Sequence, residues 1–380
     1  MPYKISALIG KGSYGAVFKA TDADDINKVY AIKQIDVTNA NHYECINVIN
    51  EMRVLASHSC PFLVAFKEVY FKDTHVYIVT EFALNGDLAG LIATHKKKGT
   101  TLVDSDVWHY SLQLCVALSY LHSINVIHRD VKPANVLVDA SNNVRLADLG
   151  VVKILRGEST QTQVGTPYYM APEIFKRERY NFKCDTWSVG CIMFELVTLQ
   201  PPFPGNNFYE LRDNVIRGYV RSLPRRSACD PLQLAVRTLL QHLPRSRPTV
   251  QEFLKLAYVS EHMRQRGLET IPNGKGVKSL FHAPCTVPKR IEDWPKVAQL
   301  FCQLNTTIQM NDSTKEQMRV VSELRSKLAV PRKKPPRPQS FAKIQWKKDL
   351  DALDSQIAAA KQHLATLQKR RESLLAKAPP

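Results

Sequence analysis

The chain has 380 residues, 52 Lys and Arg against 35 Asp and Glu, and a formal charge of +17. At 44% hydrophobic and 8% aromatic it carries enough apolar material for a sizeable core, which excludes a wholly disordered chain, a collagen and a small disulfide scaffold. No run approaches the roughly 18 apolar residues of a membrane helix, and the first residues lack the charged-then-apolar layout of a signal peptide. The expectation is a soluble, intracellular protein. The eight cysteines form no CxxC pair and read as reduced, mostly buried thiols.

The charge is uneven. Residues 261–380 hold 23 Lys and Arg against 11 Asp and Glu, leaving 29 against 24 for the rest. The organisation predicted is one folded domain over 3–258, a basic, Pro-containing linker of low order over 259–340, and a separate helical element over 341–377. A helical stretch near 293–328 is a candidate inside the linker. The run Pro331-Arg332-Lys333-Lys334-Pro335-Pro336 favours extended chain.

In chain order, the first chemical signal is Gly10-Lys11-Gly12-Ser13-Tyr14-Gly15, with Ile5, Leu8 and Ile9 before it and Val17 and Phe18 after it. The pattern predicts two strands joined by a glycine hairpin. Glycine lets the backbone approach phosphate oxygens and offer N–H groups. Alone the motif is weak, since dinucleotide folds and plain hairpins share it. A dinucleotide fold would open a helix at once; here a strand follows, ending in Val29-Tyr30-Ala31-Ile32-Lys33. A lysine at a strand end is ordinarily a solvated charge, and this one needs an anionic partner to be more. Glu51, on a helical pattern with Ile46, Ile49 and Leu55, is the first choice, and Glu44 sits too early.

The stretch from Val126 to Gly150 decides the chemistry. It contains His128-Arg129-Asp130, then Lys132 and Asn135, then Asp148-Leu149-Gly150, with apolar strands between. These motifs, in order after the glycine loop and Lys33, resemble the eukaryotic serine/threonine protein kinases. The resemblance implies an α+β, bilobal kinase fold with a small β-rich N-lobe and a larger helical C-lobe. It also implies ATP and Mg²⁺ as cofactors. Asp130 would accept the proton of a substrate hydroxyl, and Lys132 would steady the γ-phosphate. Lys33, held by Glu51, would meet the α- and β-phosphates. Asn135 and Asp148 would be the oxygen ligands of Mg²⁺. Ile9, Gly10, Gly12, Gly15, Val17 and Ala31 would cover the nucleotide. Backbone groups of Glu81 and Ala83 would bind adenine, behind Thr80 as a small gatekeeper. His128 would pack rather than catalyse. The leucine of Asp148-Leu149-Gly150 replaces the usual phenylalanine, which keeps an apolar plug and loses the ring.

Farther on, Gly165-Thr166-Pro167-Tyr168-Tyr169-Met170-Ala171-Pro172-Glu173 resembles the end of an activation segment. By that resemblance Thr166 would bond Asp130 and Lys132, Glu173 would pair with Arg247, and Asp185 would brace the catalytic loop. Thr162, with Thr160 second, is the expected phosphorylation site, and Arg129 the receiver of its phosphate. Further phrases narrow the resemblance to the NIMA-related (NEK) kinases over about 3–258. They are Tyr77-Ile78-Val79-Thr80-Glu81-Phe82, Gly86-Asp87-Leu88, and Tyr180-Asn181-Phe182-Lys183-Cys184-Asp185-Thr186-Trp187. That family implies a cytoplasmic protein with a cell-cycle or cytoskeletal role, at the centrosome, basal body or cilium. A pseudokinase scaffold that binds nucleotide and acts through its tail is the alternative.

The last element carries an apolar 3-4 stripe with Leu350, Ile357, Leu364 and Arg371 at one position and Trp346, Leu353, Ala360, Leu367 and Leu374 at the other. It predicts a coiled coil and a homodimer; a helix docked on the folded domain or a lone amphipathic helix gives the same pattern. Its polar faces mix signs, against a membrane surface. The basic linker suits an acidic partner such as a microtubule, or simply solubility. Its few aromatics argue against nucleic acid.

Overall fold

In a computed structural model the described residues are 3–12, 15–40, 42–56, 60–149, 153–154, 167–224 and 230–268, with Pro295, Val297 and Ala298. All lie in the unit Met1–Ser313; the second unit, Thr314–Pro380, lies outside them, and so does the candidate coiled coil.

The first lobe is an antiparallel sheet of five strands: β1 (Tyr3–Gly12), β2 (Gly15–Asp22), β3 (Val29–Asp36), β4 (Phe66–Lys72) and β5 (His75–Glu81). Their order is β1-β2-β3-β5-β4, with helix α1 (His42–Ala56) inserted between β3 and β4. The order follows from hairpins between neighbours, except that β5 enters between β3 and β4. One sheet face packs with α1 through Ile35, Val48, Met52 and Ile78 in the main core. The other face has its own small core of Tyr3, Ala20, Ile32, Tyr77 and Val79. There Tyr70 stacks on Tyr77 at 4.8 Å between ring centroids, a separation typical of stacked aromatics.

The glycine hairpin forms between β1 and β2 as the sequence predicts. Its tightest contact, however, is not with a ligand. Gly15 has φ +149°, and a Cβ built there would lie 1.9 Å from the Gln34 carbonyl oxygen of β3. Only a residue without Cβ lets β2 approach β3 this closely.

The second lobe is helical. Helix α2 (Leu88–Lys98) is capped by Asp87, whose side chain accepts from the Gly90 N–H, and it ends on Gly99 in the left-handed conformation. Helices α3 (Asp104–Ser123) and α5 (Lys183–Thr198) are buried on nearly every side, as helices apolar all round must be. Between them lie β6 (Val126–Ile127), β7 (Val136–Val138), β8 (Val144–Leu146), β9 (Lys153–Ile154) and the short helix α4 (Pro172–Phe175). β6 pairs with β9 and β7 with β8, two small ribbons that fix both ends of the catalytic stretch. Helices α6 (Phe208–Arg217), α7 (Pro231–Leu239), α8 (Val250–Leu254) and α9 (Ala257–Arg264) complete the lobe. His262 of α9 stacks on Trp108 of α3 at 4.1 Å, which holds that helix to the lobe. Cys45, Cys60, Cys115, Cys184 and Cys191 are free and buried, as expected of reduced core thiols. No helix of the described residues is long and apolar enough to cross a membrane.

Candidate functional site

The site is built on strand β3, helix α1, the loop after β8 and the loop after β6, with a brace from α5. β3 carries Lys33, whose Cα faces Val17 on one side and Ile78 on the other. α1 brings Glu51 to it: Lys33 Nζ bonds Oε1 at 2.8 Å and Oε2 at 2.9 Å. A third bond, 2.9 Å, reaches Asp148 Oδ1 from the loop after β8. Burial opposes charge on this ammonium, but the two carboxylates around it outweigh that, and the Lys33 pKa is raised. Glu44, the rival in the sequence, lies on the first turn of α1. Glu51 is the acid that the helix delivers.

Asp148 itself is 44% exposed at its side chain. Burial resists its ionisation, yet the Lys33 charge and hydrogen bond prevail and hold its carboxyl below the usual range. Its φ is +57°, a left-handed backbone for a non-glycine residue.

The catalytic loop follows β6. Asp130 Oδ2 receives Lys132 Nζ at 2.6 Å and Asn135 Nδ2 at 3.1 Å, and Asn135 Nδ2 also bonds the Asp130 carbonyl at 2.8 Å. Arg129 sits at φ +70° and is buried, which needs outside support. Asp185 of α5 supplies it. Its two oxygens accept the backbone N–H of His128 and of Arg129, each at 3.0 Å. His122 adds a third bond to Asp185 at 2.8 Å. Burial pushes the Asp185 pKa up, but these donors win and hold it below the usual value. His128 is fully buried and bonds Ala147 O through Nε2 at 3.1 Å, a packing role.

The donor set suits a hard cation. Both hydrogen bonds of Asn135 described above use Nδ2, so its carbonyl Oδ1 is the atom that can ligate, and Asp148 Oδ2 is the carboxylate oxygen not used by Lys33. One neutral and one anionic oxygen are the ligand types that magnesium takes beside substrate phosphates. For adenine, Ala83 is buried at the end of β5, and Glu81 already donates its N–H to Ala65 O at 2.9 Å. Contact through Glu81 therefore falls to its carbonyl. Ile9 is 48% exposed, and Val17 and Ala31 are half-buried on the adjoining strands. The Cα atoms of Gly10 and Val17 are cross-strand partners. Gly12 and Gly15 close the hairpin as a facing pair. Thr80 pairs with Ala31 across β3 and β5.

Glu173 and Arg247 form a bidentate pair at 2.7 and 3.1 Å, both side chains almost fully buried. The guanidinium also lies 4.8 Å from the Trp187 ring. Thr160, Thr162 and Thr166 lie outside the described residues. Two contacts have no sequence signal: His122 with Asp185, and Tyr169, which donates to Glu195 Oε2 at 2.7 Å. Tyr169 belongs to the apolar phrase that ends the activation segment.

Residues 3–259 match the protein kinase domain family. The chain belongs to that family. The curated relatives are serine/threonine kinases of the Nek, or NIMA-related, group, as the motif resemblance implied. Nek4 of Mus musculus is 33% identical over 264 residues, covering 69% of this chain and 33% of that protein. Nek6 of Oryza sativa subsp. japonica is 33% identical over 264 residues, with 69% and 49% covered. Nek2 of Homo sapiens is 34% identical over 268 residues, with 68% and 60% covered. The chain thus spans between a third and three-fifths of the length of these relatives.

Proposed function

We propose that the chain is an active, ATP- and Mg²⁺-dependent serine/threonine kinase that transfers the γ-phosphate to serine or threonine of protein substrates. The observation that carries this is the unbroken chain of charge from Glu51 through Lys33 to Asp148, set beside Asp130, Lys132 and Asn135. Phosphoryl transfer asks the protein mainly for position and charge neutralisation, and Lys33, Asp130, Lys132, Asn135 and Asp148 are the residue types that would supply both. Lys33 binds the α- and β-phosphates. Asn135 and Asp148 hold the metal, which neutralises phosphate charge when bound. Lys132 steadies the γ-phosphate while Asp130 takes the hydroxyl proton. Asp130→Asn should lower phosphate transfer to a generic protein substrate by about 10²–10⁴, the range for loss of a positioned base. Equal activity in parent and variant would leave only the pseudokinase scaffold.

Phosphorylation of Thr162, or of Thr160, activates the enzyme by pairing with Arg129. Thr162→Ala should then lose activity that an acidic replacement partly restores. The tail over 341–377 self-associates as a coiled coil, raising the local concentration for trans-phosphorylation, and the basic linker meets an acidic, microtubule-like partner. The setting that these parts suit is the cytoplasmic cytoskeleton, at the centrosome or basal body. Sedimentation of the full chain against one lacking 341–377 tests the tail: a monomer in both would overturn the dimer.

A further inference from the structure

The alternation of β8 sets one side chain apart. Val144 and Leu146 are fully buried, and Arg145 between them is turned to the opposite face. There its guanidinium meets separate stretches of the chain. Nε and an Nη bond Asp139 Oδ2 at 3.1 and 3.0 Å, within the ribbon of β7 and β8. The other Nη donates to the carbonyl of Pro61, between α1 and β4. Nε also faces Glu81 Oε1, at the end of β5, at 3.4 Å. Only the planar fork of an arginine addresses such a set in fixed directions; a lysine ends in a single nitrogen.

These stretches lie where the two lobes are joined. Residues 62–64 precede β4 of the sheet lobe, yet they bond to β8. Val64 N–H donates to Leu146 O at 3.0 Å, and Leu146 N–H donates to Phe62 O at 2.9 Å. After β5 the chain is held to the same ribbon: Asn85 N–H donates to Val138 O at 3.0 Å, and Asn85 Nδ2 to Asp139 O at 2.8 Å. Glu81 links the two junctions. Its N–H donates to Ala65 O and its Oε1 accepts the Ala65 N–H, both at 2.9 Å. That same Oε1 is the atom facing Arg145. The bonds to Asp139 are short and internal to the helical lobe. The contact to Glu81 is longer and spans the lobes, so it is the one that yields when they part.

We propose that Arg145 is a positioning residue, a latch between the lobes that slows the opening of the cleft and so slows release of nucleotide. The release step rests on the reading of ATP as cofactor. Lobe opening gates product release in many enzymes of this kind of architecture. Arg145 stands three residues before Asp148, so one short stretch carries both the latch and a candidate metal ligand.

Arg145→Gln in the full chain removes the charge and the fork. With Mg²⁺ and a fluorescently labelled ADP bound, release should be about tenfold faster than in the parent, the scale for losing one charge-assisted hydrogen bond. The KM for ATP should rise while the KM for a protein substrate stays. Arg145→Lys should fall between parent and Gln variant. Hydrogen exchange reads the latch without nucleotide. The amides of Val64 and Asn85 should exchange about tenfold faster in Arg145→Gln, while those of α5 keep their protection and show that the domain is folded. Release no faster than in the parent, or unchanged exchange at Val64 and Asn85, overturns the proposal. A parent that binds no labelled ADP would instead overturn the cofactor reading, and exchange would still decide the latch.

Discussion

Two of the buried ion pairs among the described residues, one in each lobe, do opposite work. Glu173–Arg247 in the helical lobe is a closed arrangement. The guanidinium bonds both carboxylate oxygens, the carbonyls of Lys183, Gln241 and His242, and lies over Trp187. Every donor is used, both side chains are sealed from water, and nothing is left to react. Lys33–Glu51 in the sheet lobe is open on one side. Its ammonium also reaches Asp148, whose side chain is 44% exposed to the cleft. The difference teaches what to read from a buried charge: a saturated pair holds a fold, and a pair with a third, exposed member is poised for a ligand.

Substitution separates the two. Arg247→Ala should be the most damaging, because it leaves the Glu173 carboxylate buried and uncompensated, a loss of about 3–5 kcal/mol. A denaturant melt would show this, and a loss below about 1 kcal/mol would break the contrast. Lys33→Met should do the reverse. Glu51 and Asp148 can share a proton once the lysine is gone, so stability should move by about 1 kcal/mol, near the common value for point variants. Phosphate transfer should fall by about 10²–10³, the scale for losing one preorganised charge contact.

Gly15→Ala comes next. The added methyl meets backbone rather than a movable side chain, so the sheet must part, and strain of about 1–3 kcal/mol is expected. Thermal unfolding should fall while the helical lobe keeps its exchange protection. The finest effect is pH-dependent. The folded pKa of Asp185 lies below its unfolded value, so its contribution is present above about pH 4 and fades as pH falls through the folded value. Asp185→Asn lacks this contribution, and the stability gap between parent and variant should narrow on acidification below about pH 4. A gap that widened there would contradict the hydrogen bonds assigned to Asp185.

The catalytic residues were legible because they sit in short contiguous phrases. His128-Arg129-Asp130 with Lys132 and Asn135 is one loop, and its chemistry follows from residue types alone. The partner of Lys33 was legible by a different route, since Glu51 lies on the helical pattern with Ile46, Ile49 and Leu55 whereas Glu44 sits too early in it. What stayed hidden are contacts between distant positions that no local pattern announces. His122 and Asp185 are 63 residues apart. The need for glycine at position 15 looked like a phosphate requirement, and the structure gives it a second cause in the Gln34 carbonyl.

The position of Asp185 in the chain also bears on how the molecule is made. Arg129 is held in a left-handed backbone by a carboxylate that is 56 residues further on. During synthesis at roughly 5–20 residues per second, the catalytic loop therefore emerges several seconds before the group that shapes it. Until α5 has left the ribosome, the His128 and Arg129 amides lack the carboxylate that receives them. The brace of the catalytic loop is thus added only when the later half of the domain joins the earlier one.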